Sequence, residues 1–377
     1  MESDENLKPR QTFRDIARLE LQFPTRLIDT HGDFSHYQDP VNRNTDVDLA
    51  ELPTRIDKRW DEWSYEEYER ARQLYSQLPS TEREGLDEFR LNKKRLFSDF
   101  AVRYLPAMRI LDKGGLLRIP KTDEKGDITW RIVSEHSLVV GKVAETLATK
   151  MGDGLYREKV EREGLIVEND QQKSKIKEEA IQEVVVGALL QDVTKRQEVE
   201  FKRLLPEEKL SRIKALVSEG MGNADDIETA QRDIDGSFSI HERLLHQGIE
   251  LTLREGLGRD KNPYGTIDTI ILCTGAAGMP VVDRSKDASG NYLPTLAERV
   301  ANFSDKLVQD SGLVPSLQRR RRASLARYSP AEKVNREYDY AQKCADEFAS
   351  ALKIPSGDLL PEMVIDDIFQ QIFTVSK

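Results

Sequence analysis

Cysteine is almost missing from this 377-residue chain: Cys273 and Cys344 stand far apart and form no CxxC pair. Two such thiols build neither a disulfide framework nor a zinc ribbon, and a reducing compartment is the simplest reading. No apolar run approaches the length of a membrane-spanning helix, so no membrane association is expected. The opening residues, MESDENLKPRQ, are acidic and polar and lack the apolar stretch of a secretory signal. The expected location is cytoplasmic. Excess basic charge is also missing. The net charge is −10, and repulsion from phosphate argues against general binding to nucleic acid or anionic membrane. A local basic patch stays open. Strand-like alternation is nearly absent as well.

What is present suits a folded helical protein. Hydrophobic residues make up 38% and charged ones 33%, enough apolar material for a core. At 377 residues the chain exceeds what one core usually serves, so large additions or a second domain are expected. The expected class is all-α. An irregular N-terminal arm spans 1–60, with a short helix near Thr12–Gln22 and with Pro24, Pro40 and Pro53 as punctuation. A helical extension follows over 61–94, a main helical domain over 95–310, and a C-terminal helical extension over 311–377. The first helix of the extension, Ser64–Leu78, stops at Pro79; a second starts at Ser80-Thr81-Glu82-Arg83 and runs toward Pro106. Leu116–Trp130 reads as a short extended loop. Further helices are expected at Glu135–Met151, Lys173–Lys195, Pro206–Glu219, Ala224–Arg232, Ser239–Glu255, Thr266–Thr274, Thr295–Gln309, Pro330–Leu352 and Leu360–Phe373. The charged stretch Glu158–Glu179 reads as a solvated helical face or connector.

With only five histidines, each can be weighed singly. His136 opens a helix on which Val140, Val143, Leu147 and Met151 follow at helical spacing, so it ends a buried stripe. By itself it reads as a core histidine bonded to backbone. Val184–Leu190 is apolar on every side, so that helix should cross the core and deliver Gln191-Asp192 at its end. A carboxylate there must be held protonated or be neutralised by a cation, either Lys195 or Arg196 one turn on or a metal. Asp305 lies on a stripe with Ala297, Ala301 and Val308, beside a core face of Leu296, Val300, Phe303 and Leu307. Alone it reads as a solvated helix carboxylate. His31 and His36 read as surface residues of the arm. The run Arg319–Arg322 reads as an exposed helix start with a solvated charge cluster.

Taken together, three segments resemble the HD superfamily of metal-dependent phosphohydrolases. "EHSLVVGKVAETLA" is similar to that family's first histidine helix. "VVVGALLQDVTKR" resembles its apolar run ending in His-Asp-x-x-Lys, and "LAERVANFSDKLV" its late Ala-Asp-Lys element. The upstream "LLRIPKTD…ITWRIVSEHS" is similar to the entry segment of the bacterial 5′-deoxynucleotidase branch. The resemblance covers roughly 95–310 and implies an HD-type helical bundle. It further implies a divalent ion (Mn, Co, Zn, Ni or Mg) held by His136, Asp192 and Asp305, with Arg118 and Lys195 orienting a phosphate. Asp192, Lys195 and Arg118 would then serve catalysis on a small phosphate ester, most plausibly a nucleotide. Such an ion would lower the pKa of its bound water and offset charge on the phosphoryl oxygens.

One departure matters. Gln191 stands where the family has the histidine of its His-Asp pair, and an amide is a much poorer ligand than imidazole for these metals. His246 or His241 could fill the vacated position. They lie five residues apart, about 140° round a helix, so both cannot face one ion without distortion. Cys273-Thr274 replaces histidines that two-metal branches carry, and Lys195 stands where the deoxynucleotidase branch usually has glutamate. The resemblance therefore implies one of two things: an active phosphohydrolase, or a catalytically degenerate HD domain that binds a nucleotide or regulates. A helical interaction protein with an accidental match is the third reading. The oligomeric state stays open.

Overall fold

The computed structural model describes residues 17, 18, 21, 79–113, 119–122, 128–131, 133–193, 197, 201, 204–234, 236–237, 240–241, 243–245, 247–248, 294–309, 312–327 and 331–374. These are mostly helical, in keeping with the all-α class. The helices expected over 64–78 and 266–274 lie outside the described residues, as do His31, His36, Arg118, Lys195, His246 and Cys273. The helices are α1 (Ser80–Arg103), α2 (Leu105–Lys113), α3 (Val133–Lys150), α4 (Gly152–Glu163), α5 (Asp170–Leu190), α6 (Pro206–Ser218) and α7 (Ala224–Arg232). They continue with α8 (Leu296–Lys306), α9 (Leu317–Arg327), α10 (Ala331–Leu352) and α11 (Leu360–Thr374).

Two compact units share these elements. The first comprises Met1–Arg103, Leu138–Met151 and Phe303–Lys377; the second comprises Tyr104–Ser137 and Gly152–Asn302. Helix α1 ends at Arg103 because Pro106 has no N–H to continue the ladder, while Pro suits the first turn of the next helix.

In the first unit, α11 buries Leu360, Val364, Ile365, Ile368, Phe369 and Ile372, the spacing of one helical face. Phe89 of α1 meets Phe369 and Phe373 with ring centroids 5.5 Å away in each case. Phe303 and Phe348 meet edge to face at 5.6 Å, the arrangement favoured by ring quadrupoles. Two corrections fall here. The expected helix Thr295–Gln309 ends at Lys306, and Val308–Gln309 instead pairs as strand β3 with Gly312–Leu313, β4. Arg319–Arg322 is a solvated cluster only at Arg322. Arg319 and Arg320 are buried, and Arg321 donates to Asn335 Oδ1 at 2.8 Å and to Asp339 Oδ1 at 2.9 Å. Arg319 and Arg320 are buried on a helix that packs against α10, which a count of charges does not foresee.

In the second unit, Ile119–Thr122 (β1) and Ile128–Arg131 (β2) form an antiparallel pair, Ile119 opposite Arg131 and Thr122 opposite Ile128. The segment expected as an extended loop is thus a hairpin. Helices α4 and α5 form an antiparallel pair across a turn at Gly164, whose φ of +62° is the left-handed helix stop that glycine adopts without Cβ strain. Asn169 then caps α5 by accepting from Gln172 N at 2.9 Å. A smaller cluster gathers Phe201, Ile213, Leu216, Ala230 and Leu244 from α6, α7 and the residues around them.

The stretch Glu158–Glu179 is a solvated helical face and connector over most of its length, and Lys159 is the exception. Lys159 is 4% exposed and Glu183 2%, and the two form an ion pair. Lys159 also reaches Glu163 at 2.9 Å, and Arg162 reaches Glu183 at 3.1 Å. Burial pulls the Lys159 pKa down, but hydrogen bonds and charge from Glu183 and Glu163 outweigh it and leave the pKa raised. Glu158 does separate work: its carboxylate accepts from Leu296 N at 2.6 Å and Ala297 N at 3.3 Å. It completes the first turn of α8 alongside the Thr295–Glu298 capping box.

Removing one member of a buried ion pair strands the other charge, at a cost of about 3 kcal/mol or more. Because Arg162 still reaches Glu183, Lys159→Met should lower the unfolding free energy by less than that, about 1 to 2 kcal/mol, in urea titration. The double change Lys159→Met with Glu183→Leu should recover most of the loss.

Candidate functional site

The apolar end of α5 sets up the site. Val184 through Leu190 are all buried, so this stretch runs through packed side chains and lies against α2 and α4. Its last turn leaves Gln191 and Asp192 as the next residues, and Val193 N closes the turn on Leu190 O at 3.0 Å. Gln191 keeps helical backbone angles, φ −53° and ψ −40°. Its side chain is carried inward, at 9% exposure, while the Asp192 side chain keeps 23%.

His136 arrives from the first turn of α3 and is 4% exposed. Its Nε2 lies 3.3 Å from Gln191 Nε2 and 3.8 Å from Asp192 Oδ2. The first distance is a hydrogen bond; the second is too long for one. An amide nitrogen can only donate, so in this orientation the pair forms a hydrogen bond with the ring proton on Nδ1, and donor and acceptor follow the ring tautomer. The structure thus brings together an imidazole, an amide and a carboxylate from two helices far apart in sequence.

Of the other residues picked out in the sequence, Asp305 belongs to the first unit. There its carboxylate lies 3.1 Å from Lys306 Nζ, and Lys306 also approaches Glu337 at 3.8 Å. Burial alone would lower the Lys306 pKa; Asp305 foremost, then Tyr338 and Glu337, drive it well above its ordinary value. Tyr338 in turn shares a buried hydrogen bond of 2.9 Å with Ser324. Sequence reasoning missed this polar cluster, of which the adjacent Asp305-Lys306 pair is the trace in the sequence. Among the described residues, no three His, Cys, Asp or Glu side chains gather closely enough to hold a metal ion. His136 and Asp192 are the part of the expected ligand set that the described residues assemble. At metal–ligand bonds of about 2.1 Å, donors 3.8 Å apart are still within reach of one ion.

His241, one of the two understudies, is engaged elsewhere in the second unit. Its ring stacks on Phe201 with centroids 3.9 Å apart and a 12° angle, and it is 1% exposed. Its Nδ1 is buried without a hydrogen-bond partner among the described residues. Lys209 sits over the opposite partner, 6.0 Å from the Phe201 centroid. No family model matches the chain, and no curated protein or solved structure matches it either.

Burial, with the Arg212 charge adding to it, lowers the His241 pKa from 6.5 to about 4. The unfolded ring takes up a proton below pH 6.5, whereas the folded ring resists until about 4. The stability of the neutral buried ring is complete above pH 6.5 and is lost as pH falls toward 4. At about 1.4 kcal/mol per unit, the loss approaches about 3 kcal/mol. Chemical denaturation from pH 7 to 4 should show this slope, and His241→Phe, which keeps the stack, should flatten it.

Proposed function

We propose that this chain is an HD-type helical domain with reduced or lost catalysis, binding a small phosphorylated ligand, in the first instance a nucleotide. The binding place is the corner formed by His136, Gln191 and Asp192. One observation carries the reading: the Gln191 amide rests 3.3 Å from His136 Nε2, the ring nitrogen nearest the Asp192 carboxylate. In the resemblance this corner is built around a histidine ligand; here an uncharged amide fills that place and satisfies the imidazole by hydrogen bonding. Pairing of Asp305 with Lys306 supports the same reading, because a carboxylate already facing an ammonium is a poorer cation ligand. A binding or regulatory module needs the fold and the phosphate contacts, and it tolerates the loss of a metal ligand.

A second reading, the metal-dependent phosphohydrolase, draws its support from the 3.8 Å between His136 and Asp192. In that reading His246 completes the ligand set with Asp305, and Arg118 and Lys195 orient the phosphate. The ion, when bound, would supply Lewis acidity and an acidified water.

Calorimetric titration with a panel of nucleoside mono-, di- and triphosphates, paired with a phosphate-release assay in added Mn²⁺ or Co²⁺, separates the two. Binding without turnover is expected, weakened about tenfold by His136→Ala, a loss of about 1.4 kcal/mol. Turnover that depends on the added metal and disappears in Asp192→Ala would replace this reading with the phosphohydrolase. Circular dichroism of the two variants checks that they remain folded.

A further inference from the structure

The Gln191 side chain does more than fail to be a histidine. It is 9% exposed, so it lies inside the corner, and its amide nitrogen faces the one ring nitrogen of His136 that also lies near Asp192. A divalent cation shared by His136 and Asp192 needs the lone pair on His136 Nε2. The Gln191 amide lies against that same nitrogen at 3.3 Å. To seat a cation, the amide must leave this contact and turn within a buried space, and what it can offer instead is a neutral oxygen, a weak ligand for first-row metals. The Asp192 carboxylate contributes a single negative charge, so the corner has one imidazole, one carboxylate and no third strong donor among the described residues.

We propose that Gln191 is the residue that sets ligand specificity at this corner: its amide takes the place of a cation, fixes the Nδ1–H tautomer of His136, and makes the site work without metal. This deepens the binding-module reading and rests on it, since it names the cofactor requirement of the same corner. A direct consequence is that the site is one side chain away from a metal centre. Gln191→His supplies a second imidazole, and Gln191→Glu a second carboxylate, beside His136 and Asp192. Either variant then presents three strong donors, the number of protein ligands that open zinc-type sites use.

The test uses the full chain and Co²⁺ or Zn²⁺ alone as probe. In the wild type, long-range ¹⁵N–¹H correlation of the imidazoles should place the His136 proton on Nδ1, and one equivalent of Zn²⁺ should leave the Nε2 shift unchanged. Gln191→His and Gln191→Glu should each take up one Co²⁺ per chain after dialysis, about 100-fold more tightly than wild type, with the visible absorption of a bound ion. Asp192→Asn added to Gln191→His should remove that gain. The idea is overturned if wild type binds one Co²⁺ as tightly as the variants, or if Zn²⁺ shifts His136 Nε2 in the wild type. It is equally overturned if the proton sits on Nε2, or if a folded variant gains no metal. Should neither variant fold, the two wild-type measurements decide alone. Failure of nucleotide binding, with these metal results intact, sinks the functional reading and spares the role of Gln191.

Discussion

A helical stretch without a polar face has no choice about its surroundings, and that constraint organises the second unit. Val184 to Leu190 are buried on all sides of α5, each apolar side chain contributing about 1.5 to 3 kcal/mol when removed from water. With the helix held that firmly, the first polar residues beyond it are delivered to a fixed place. Gln191 and Asp192 therefore meet His136 as a consequence of hydrophobic packing. The hydrogen bond between amide and imidazole is a modest reward by comparison, about 1 kcal/mol, so it tunes the corner and does not build it.

The buried charges obey the complementary constraint. Lys159 and Glu183, Asp305 and Lys306, and Lys142 with Glu145 at 2.6 Å each place opposite charges together where water is scarce. The outcome differs with the balance of terms. Lys159 and Lys306 are surrounded by carboxylates and end above their ordinary pKa. Lys142, where burial outweighs Glu145 and Arg103 adds repulsion, ends below it. A charged residue inside a protein is thus described by its neighbours more than by its type.

Much of the fold was readable from periodicity. The helices at α3, α6, α7, α10 and α11 follow from apolar spacing, caps and prolines, and the all-round apolar run of α5 announced both its burial and the position of Asp192. Pairing partners were not readable. Nothing in the spacing of Lys159 says that it faces Glu183, because that depends on α4 and α5 folding back on each other. Charge-rich segments misled for the same reason: Arg319 and Arg320 of α9 are buried, and the sequence records charge but not reach. The corner itself was half visible. The order His136, then Gln191-Asp192, was evident on resemblance, yet the donor–acceptor contact between amide and ring needed coordinates.

The Glu158 carboxylate at the start of α8 has an effect on the order in which the protein assembles. It lies 138 residues from the backbone N–H of Leu296 that it accepts, so one end of α8 is completed by a group that reaches it only after a long loop has closed. Closure over such a span carries an entropic penalty that grows with the logarithm of its length, and contacts of this kind slow folding. Helix α4 can form locally and early. The amino end of α8 gains this second cap only afterwards, which makes it a latecomer whose order reports that the distant parts of the second unit have found each other.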